Sequence, residues 1–358
     1  MLTYFGYVLS PIIIAFFFNA REGHPHVNAT QRTKRDFLII CGVIMFLMIA
    51  LRSQYIGSED ASRYYANWEE ISKTNLSGME QYVEDSRMEP VFLYTLWVLS
   101  RVFIPAQFIF VFSGALFTVA VCRFVYKNSE DVVLSMSMYN TLGLFGFMIQ
   151  GMRQSIAMSI CLFAIEMCKE RKLWRFTALI LLASLYHRSA IFMLVIYPFF
   201  GLRLNMKTCG IVAASCAALV ASSGFLIRVG NEMVQANYGN TVESGGLIAT
   251  LIYVLILFAG FLLSGNKRYE ESFSFFVIFT IFGMLLYIMR YFGTQVMERV
   301  SFYFMFGQLI VLPGTLRTFD KGWRQWSTLG IMAVCFLLAV YRNAGSALVP
   351  YDFFWQVR

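Results

Sequence analysis

Long apolar stretches separated by short polar breaks run through the whole sequence. A helix needs roughly 17–25 mainly apolar residues to cross the hydrocarbon core of a membrane. With that criterion the pattern predicts twelve spans, near residues 2–19, 36–52, 106–126, 132–150, 152–168, 173–187, 189–203, 208–229, 246–265, 272–292, 296–316 and 326–342. We therefore expect an all-α polytopic membrane bundle that forms a single domain over residues 1–358.

The stretch 173–203 is too long for one membrane helix and short for two. Its apolar character is interrupted at His187-Arg188-Ser189. The pattern favours two abutting short helices that meet at this break, and one long tilted helix is the alternative.

The only long hydrophilic stretch on the predicted outer side is 53–89. Within it the apolar side chains recur at helical spacing, which predicts an amphipathic helix with Asp60 as a candidate N-cap. The residues on its apolar stripe are Ala61, Tyr64, Tyr65, Trp68 and Ile71. Such a stripe is typical of a helix lying in the membrane interface, and aromatic rings beside carboxylates also suit sugars. Residues 90–104 are interpreted as an interfacial or re-entrant helix.

The composition excludes a water-soluble protein. Hydrophobic residues make up 58% of the chain and charged residues only 14%, too few to cover a globule exposed to water. The seven cysteines lie in or beside apolar segments without a CxxC pair, so they indicate neither a disulfide framework nor a zinc site.

The formal net charge of +8 is explained by membrane orientation, because lysine and arginine collect in cytoplasmic loops. Six basic loops fall on one side if the twelve helices cross and 90–104 does not. These loops are Arg21–Arg35, Arg123–Lys127, Lys169–Arg175, Arg203–Lys207, Lys267–Arg268 and Arg317–Arg324. Both termini are then predicted outside, and no nucleic-acid partner is needed to account for the charge.

Arginine dominates the basic residues of the predicted outer side, where Lys73 is the single lysine. Arginine grips phosphate through a planar, permanently charged fork, whereas lysine acts as a point charge. A basic side chain that only extends from the membrane to the interfacial water could be lysine as well as arginine. The bias therefore favours a phosphate-bearing ligand on this face.

Several ionisable side chains stand at the predicted outer ends of helices. Arg153 follows Gly151 at a helix start, where free backbone N–H groups and the helix dipole favour an anion. Glu89 precedes Pro90, and His187 is the only histidine outside the first basic loop. An imidazole titrates near neutrality, so His187 suits proton transfer. Arg290 and Glu298-Arg299 flank a further break, and the sequence leaves undecided whether Glu298 pairs with Arg299 and so leaves Arg290 freer.

No metal-binding signature, P-loop, GxSxG elbow or convincing internal repeat is present. The residues instead resemble those of the bacterial EpsG / Wzy-type polysaccharide polymerases. The motifs that carry the resemblance are Arg52 with Gly57, Asp60 and Tyr64 or Tyr65, then Glu89-Pro90, Arg153-Gln154 with Ala157, Leu185–Ala190, and Arg299 with Tyr303. The sequence departs from the pattern at Ser58-Glu59, between Gly57 and Asp60.

The resemblance implies an integral glycosyltransferase of the bacterial cytoplasmic membrane, one that uses no cofactor. Such an enzyme extends a surface polysaccharide on the outer face from oligosaccharide repeat units carried on undecaprenyl diphosphate. A flippase and a chain-length regulator of the same pathway are the expected partners. A ligase that transfers finished polymer uses the same donor chemistry, and a flippase or exporter of lipid-linked sugars is another alternative.

These considerations give each candidate residue an expected role. His187 is the preferred base and Glu89 the second choice, with Arg153 also catalytic. The expected diphosphate contacts are Arg153, Arg290, Arg299 and Gly151. The expected vestibule residues are Arg52, Asp60, Tyr64, Tyr65, Trp68, Arg188 and Ser189. Arginines supply positive charge at the leaving group, so no metal ion is required.

Overall fold

The computed structural model describes residues 2–20, 26–57, 59–86, 88–222, 224, 247–291, 295–343, 346 and 348–356. Over these residues the chain is all-α, and the only β-type pairing is an isolated bridge between Arg52 and Phe353. The α-helices in chain order are α1 Leu2–Asn19, α2 Gln31–Ala50, α3 Glu59–Lys73, α4 Leu76–Asp85, α5 Pro90–Val102, α6 Phe108–Asn128, α7 Val132–Thr141, α8 Leu144–Gln150, α9 Met152–Lys169, α10 Leu173–Tyr186, α11 Met206–Ala221, α12 Leu247–Leu262, α13 Glu271–Met289, α14 Gln295–Met305, α15 Gln308–Leu316 and α16 Lys321–Asn343.

Long apolar helices make the chain a multi-pass membrane protein. In the described part of the chain, α1, α6, α13 and α16 are long and apolar enough to cross a membrane alone. The bent pair α7 and α8 is a fifth candidate span, and several shorter apolar helices accompany them. The count of twelve crossings and the orientation stay predictions. The end of the predicted span 208–229 and the start of the loop Arg21–Arg35 lie outside the described residues.

The break at His187 is confirmed. Helix α10 ends at Tyr186, and His187 has extended backbone angles of φ −157° and ψ 113°. Residues Arg188–Phe199 then form a 3₁₀ helix, so the second short element is not the α-helix that the pattern favoured. The alternative of one long tilted helix is wrong.

The predicted span 132–150 is bent by 53° between α7 and α8. Gly143 occupies the bend with φ +92°, a conformation that side chains with a Cβ rarely adopt. Arg342 of α16 reaches into the bend and donates a hydrogen bond of 3.0 Å to the Leu142 carbonyl oxygen. This contact satisfies a backbone acceptor that the break removes from the helix ladder.

The hydrophilic stretch before α5 folds back onto the bundle. The predicted amphipathic helix is α3, and its stripe residues Tyr64, Trp68 and Ile71 are buried because α5 packs against them. The indole N–H of Trp68 points to the carbonyl oxygen of Ile104 at 3.4 Å. Helix α4 also packs against α5 and completes this layer.

An ion cluster marks the opposite end of α9. Glu166 accepts hydrogen bonds from Arg123 at 2.7 and 2.9 Å and from Lys127 at 2.7 Å. Helix α9 therefore has charged side chains at both ends, with Arg153 in its first turn and Glu166 in its last.

Candidate active site

A buried carboxylate joins two of the predicted catalytic side chains. Glu89 is only 8% exposed, and its Oε2 accepts a hydrogen bond from Arg153. Its Oε1 lies 3.1 Å from Nδ1 of His187, which is also 8% exposed. Arg153 further donates from Nε to the Tyr64 hydroxyl at 3.2 Å. Four side chains from distant parts of the chain thus meet at one point.

Local backbone structure places each of these groups at a helix end. Pro90 occupies the first position of α5, where its missing N–H costs no hydrogen bond, and Glu89 is the N-cap residue. Arg153 lies in the first turn of α9, and His187 ends α10. Because α10 packs against both α9 and α5, these three helix ends come together.

Charge at the site favours the ionised carboxylate. Burial raises the pKa of Glu89, but the hydrogen bond to His187 and the positive charge of Arg153 outweigh it and hold that pKa well below its usual range. Arg299 also acts electrostatically on His187. Arg153 thus bonds the carboxylate and Arg299 acts on the neighbouring imidazole, so two guanidinium groups act on the Glu89–His187 pair, an arrangement that suits an anionic ligand.

Helix α14 closes the site from another side. The amide of Gln154 donates a hydrogen bond of 2.5 Å to the backbone carbonyl of Arg299. One turn later, the Tyr303 hydroxyl accepts a hydrogen bond of 3.3 Å from Ser189. These contacts fix α14 against α9 and against the 3₁₀ segment after His187.

Arg290 belongs to a neighbouring cluster. Its guanidinium donates a hydrogen bond of 2.6 Å to Glu298 and lies over the rings of Tyr287 and Tyr291, at 4.5 and 5.0 Å from their centroids. Since Glu298 and Arg299 are adjacent on α14, one helix contributes to both groups. The sequence left undecided whether Glu298 pairs with Arg299, and the structure gives Glu298 a hydrogen bond from Arg290, a partner that was not predicted.

Arg52 is almost fully buried beneath the site, at 1% exposure. It donates a hydrogen bond of 2.9 Å to the Ile56 carbonyl, and its guanidinium stacks over Phe110 at 4.1 Å from the ring centroid. It acts electrostatically on Tyr64, which bonds Arg153. Arg52 is therefore connected to Glu89 indirectly, through Tyr64 and Arg153.

The remaining predicted vestibule residues differ in exposure. Asp60 pairs with Arg63 at 3.8 Å on α3, and Tyr65 is half-buried against Phe110. Tyr64 and Trp68 are 2% and 1% exposed, so they support the site from beneath and present no open ring face. Arg188 is exposed beside His187.

Gly151 is the N-cap residue of α9, as predicted, but its own N–H is occupied. It donates a hydrogen bond of 2.8 Å to the Phe147 carbonyl because α8 runs directly into α9. An anion at this helix start would have to use N–H groups further along the first turn.

Residues 348–356 contribute to this region without having been expected there. The backbone of Ser53 donates to Asp352, and that of Phe354 donates to Leu51, both at 2.9 Å. The hydroxyl of Tyr351 donates to the Met48 carbonyl. No motif in the segment signals this pairing, which arises from non-local backbone hydrogen bonds.

Throughout the described ranges, no group of three histidine, cysteine, aspartate or glutamate side chains is arranged to hold a metal ion.

Comparison with known proteins places this geometry in context. The model of the EpsG family matches residues 37–353, which is most of the chain. A search of curated proteins and a search of solved structures each found no match. The matched range includes every side chain of the candidate site.

Proposed function

The chain belongs to the EpsG family, a family linked to polysaccharide biosynthesis, and from that premise we propose that it polymerises lipid-linked oligosaccharide repeat units. The substrate would be the repeat unit on undecaprenyl diphosphate, at the outer face of the cytoplasmic membrane. The observation that carries the proposal is the buried Glu89 that bridges Arg153 and His187, with Arg299 beside them. Twelve crossings with both termini outside belong to the same proposal.

The reaction is a glycosyl transfer that needs a leaving group and a base. The bond between the anomeric carbon of the growing chain and its diphosphate oxygen breaks, and the electron pair stays on the diphosphate. The hydroxyl oxygen of the incoming unit forms the new glycosidic bond and gives up its proton. Preorganised positive groups stabilise the developing negative charge on the diphosphate. We assign that role to Arg153 and Arg299.

His187 is the group we assign to accept the proton. Its Nδ1 faces Glu89, so an imidazole protonated there donates that hydrogen bond and leaves the lone pair of Nε2 for the acceptor hydroxyl. Glu89 has both oxygens engaged, by Arg153 and by His187. It is therefore assigned as a positioning residue, which orients the imidazole and the guanidinium.

The test is reconstitution of the purified chain in liposomes with lipid-linked repeat units, followed by separation of the products by size. A polymerase gives a ladder, and we expect His187→Ala to abolish it because it removes the group assigned to take the proton. His26→Ala is the matched control, since His26 is exposed and lies before α2. A ladder of full length from His187→Ala would refute the base assignment.

The same assay separates the alternative functions. Product only when a second acceptor lipid is supplied would indicate a ligase. Movement of labelled repeat units across the liposome membrane without any new glycosidic bond would indicate a flippase or exporter. Either result would overturn the polymerase proposal.

A further inference from the structure

An exposed aromatic surface lies at the same end of the bundle as the candidate active site. Phe354 and Trp355 are 50% and 56% exposed, and Tyr55 is 69% exposed. We call these three side chains the aromatic surface. Backbone pairing of residues 51–53 with 352–354 brings the two parts of the chain together.

The ring of Trp355 is held in a defined orientation. It lies parallel to the ring of Phe353, with centroids 4.8 Å apart and an angle of 6° between planes. Gln356 fixes the turn below them, since its backbone N–H donates to the Phe353 carbonyl at 2.9 Å and its Oε1 accepts from the Phe353 N–H at 2.7 Å. A ring ordered in this way loses little conformational entropy when a ligand packs on it.

A chain of contacts connects this surface to Glu89. Arg52 acts electrostatically on both Tyr351 and Tyr64, and Tyr64 accepts a hydrogen bond from Arg153, which bonds Glu89. Gly57 packs on Gln150, the last residue of α8, three positions before Arg153: an added Cβ would be 3.2 Å from Gln150 Cγ. These interactions lead from the two segments that carry the aromatic surface towards the proposed reaction centre.

We propose that Tyr55, Phe354 and Trp355 form a carbohydrate-binding surface that holds a sugar ring of the growing glycan beside the reaction centre. The inference rests on the proposed function, because it takes the product of that reaction as its ligand. The C–H face of a pyranose is apolar and carries partial positive charge, which complements the electron-rich face of an aromatic ring.

The polar side chains of the segment fit a sugar better than a membrane surface. Residues 348–356 include Asp352 and Gln356 but no lysine or arginine. The Asp352 carboxylate and the side-chain N–H groups of Gln356, whose Oε1 is bonded to Phe353, match sugar hydroxyl groups, whereas a segment that binds anionic phospholipids would be basic.

The test is calorimetric titration of the full chain, in lipid nanodiscs, with oligosaccharides cut from the polysaccharide of producing cells. We expect saturable binding that Trp355→Ala weakens about tenfold, as is typical when a central aromatic contact is truncated. Trp355→Phe should keep most of the affinity because it preserves a ring face. Trp326→Ala is the matched control, since Trp326 is 75% exposed near the start of α16, whereas Trp355 follows the end of that helix.

Each outcome decides the inference. No binding to the wild-type chain, equal binding to Trp355→Ala, or an equal loss in Trp326→Ala would overturn it. An unchanged affinity combined with a lower amount of Trp355→Ala in the membrane would identify the tryptophan as a lipid anchor, which also overturns it. If Trp355→Ala does not fold, Phe354→Ala and Tyr55→Ala carry the same test. Binding that persists while the wild-type chain makes no ladder would refute the polymerase and leave the surface standing.

Discussion

Replacing Glu89 by glutamine removes one charge from the centre of the candidate site and keeps the shape of the side chain. Burial alone would raise the pKa of Glu89, yet the hydrogen bond to His187 and the charge of Arg153 lower it to about 2, from an ordinary value near 4.5. Each pKa unit corresponds to 1.36 kcal/mol, so the ionised carboxylate contributes about 3 kcal/mol to the folded state at neutral pH. Little of this is lost to solvent screening, because the side chain is 10% exposed.

The pH dependence follows from the sign of that shift. The pKa of Glu89 is lower in the folded chain than in the unfolded chain, so the stabilisation is complete at pH values above the pKa of the unfolded chain. It disappears as the pH falls through the pKa of the folded chain. Glu89→Gln should therefore melt well below the wild-type chain at pH 7. At pH 3 the contribution falls to about 1 kcal/mol, and the two melting curves should approach each other.

Thermal melting of the detergent-solubilised chain at several pH values measures this difference. Glu84→Gln is the matched control, because Glu84 is exposed on α4 and should melt like the wild type throughout. The polymer ladder provides a second readout, and Glu89→Gln should shorten it because a neutral amide holds the His187 imidazole, and the proton it takes up, less strongly than a carboxylate. A melting difference that is absent at pH 7, or unchanged between pH 7 and pH 3, would contradict the bridging role of the carboxylate.

Two further substitutions test the site and its support. Arg153→Lys should reduce the rate of ladder formation ~10²–10³-fold, nearly as much as Arg153→Ala, because lysine lacks the planar fork of arginine. The control Arg32→Lys, at an exposed position, should leave the rate unchanged. Full activity in Arg153→Lys would exclude a bidentate contact between Arg153 and phosphate. Gly57→Ala should destabilise the chain by about 1–2 kcal/mol, since Gly57 has φ +103° and faces Gln150, whereas Gly210→Ala, with open space around it, should melt at or above the wild-type temperature.

The candidate site was partly predictable because its residue types occur at recognisable positions. A histidine at the break of an apolar stretch, an arginine at a helix start and a glutamate before proline were each identifiable from local sequence. Their mutual contacts were not, since Glu89 lies 64 residues from Arg153 and 98 from His187. The hydrogen bond between Arg290 and Glu298 was likewise not predicted, because the adjacent sequence suggested only Arg299 as a partner for Glu298.

The amino-acid sequence by itself determined the helical membrane character, the break at His187 and the amphipathic stripe of α3. These properties depend on hydropathy and on spacing within one helix, which are local. Only the tertiary structure decided that α5 covers the stripe, that Arg342 enters the bend at Gly143 and that residues 348–356 pair with the end of α2. The physical reason is that a charged side chain or an open backbone group takes the partner that helix packing brings within about 3 Å, and packing depends on the whole chain at once.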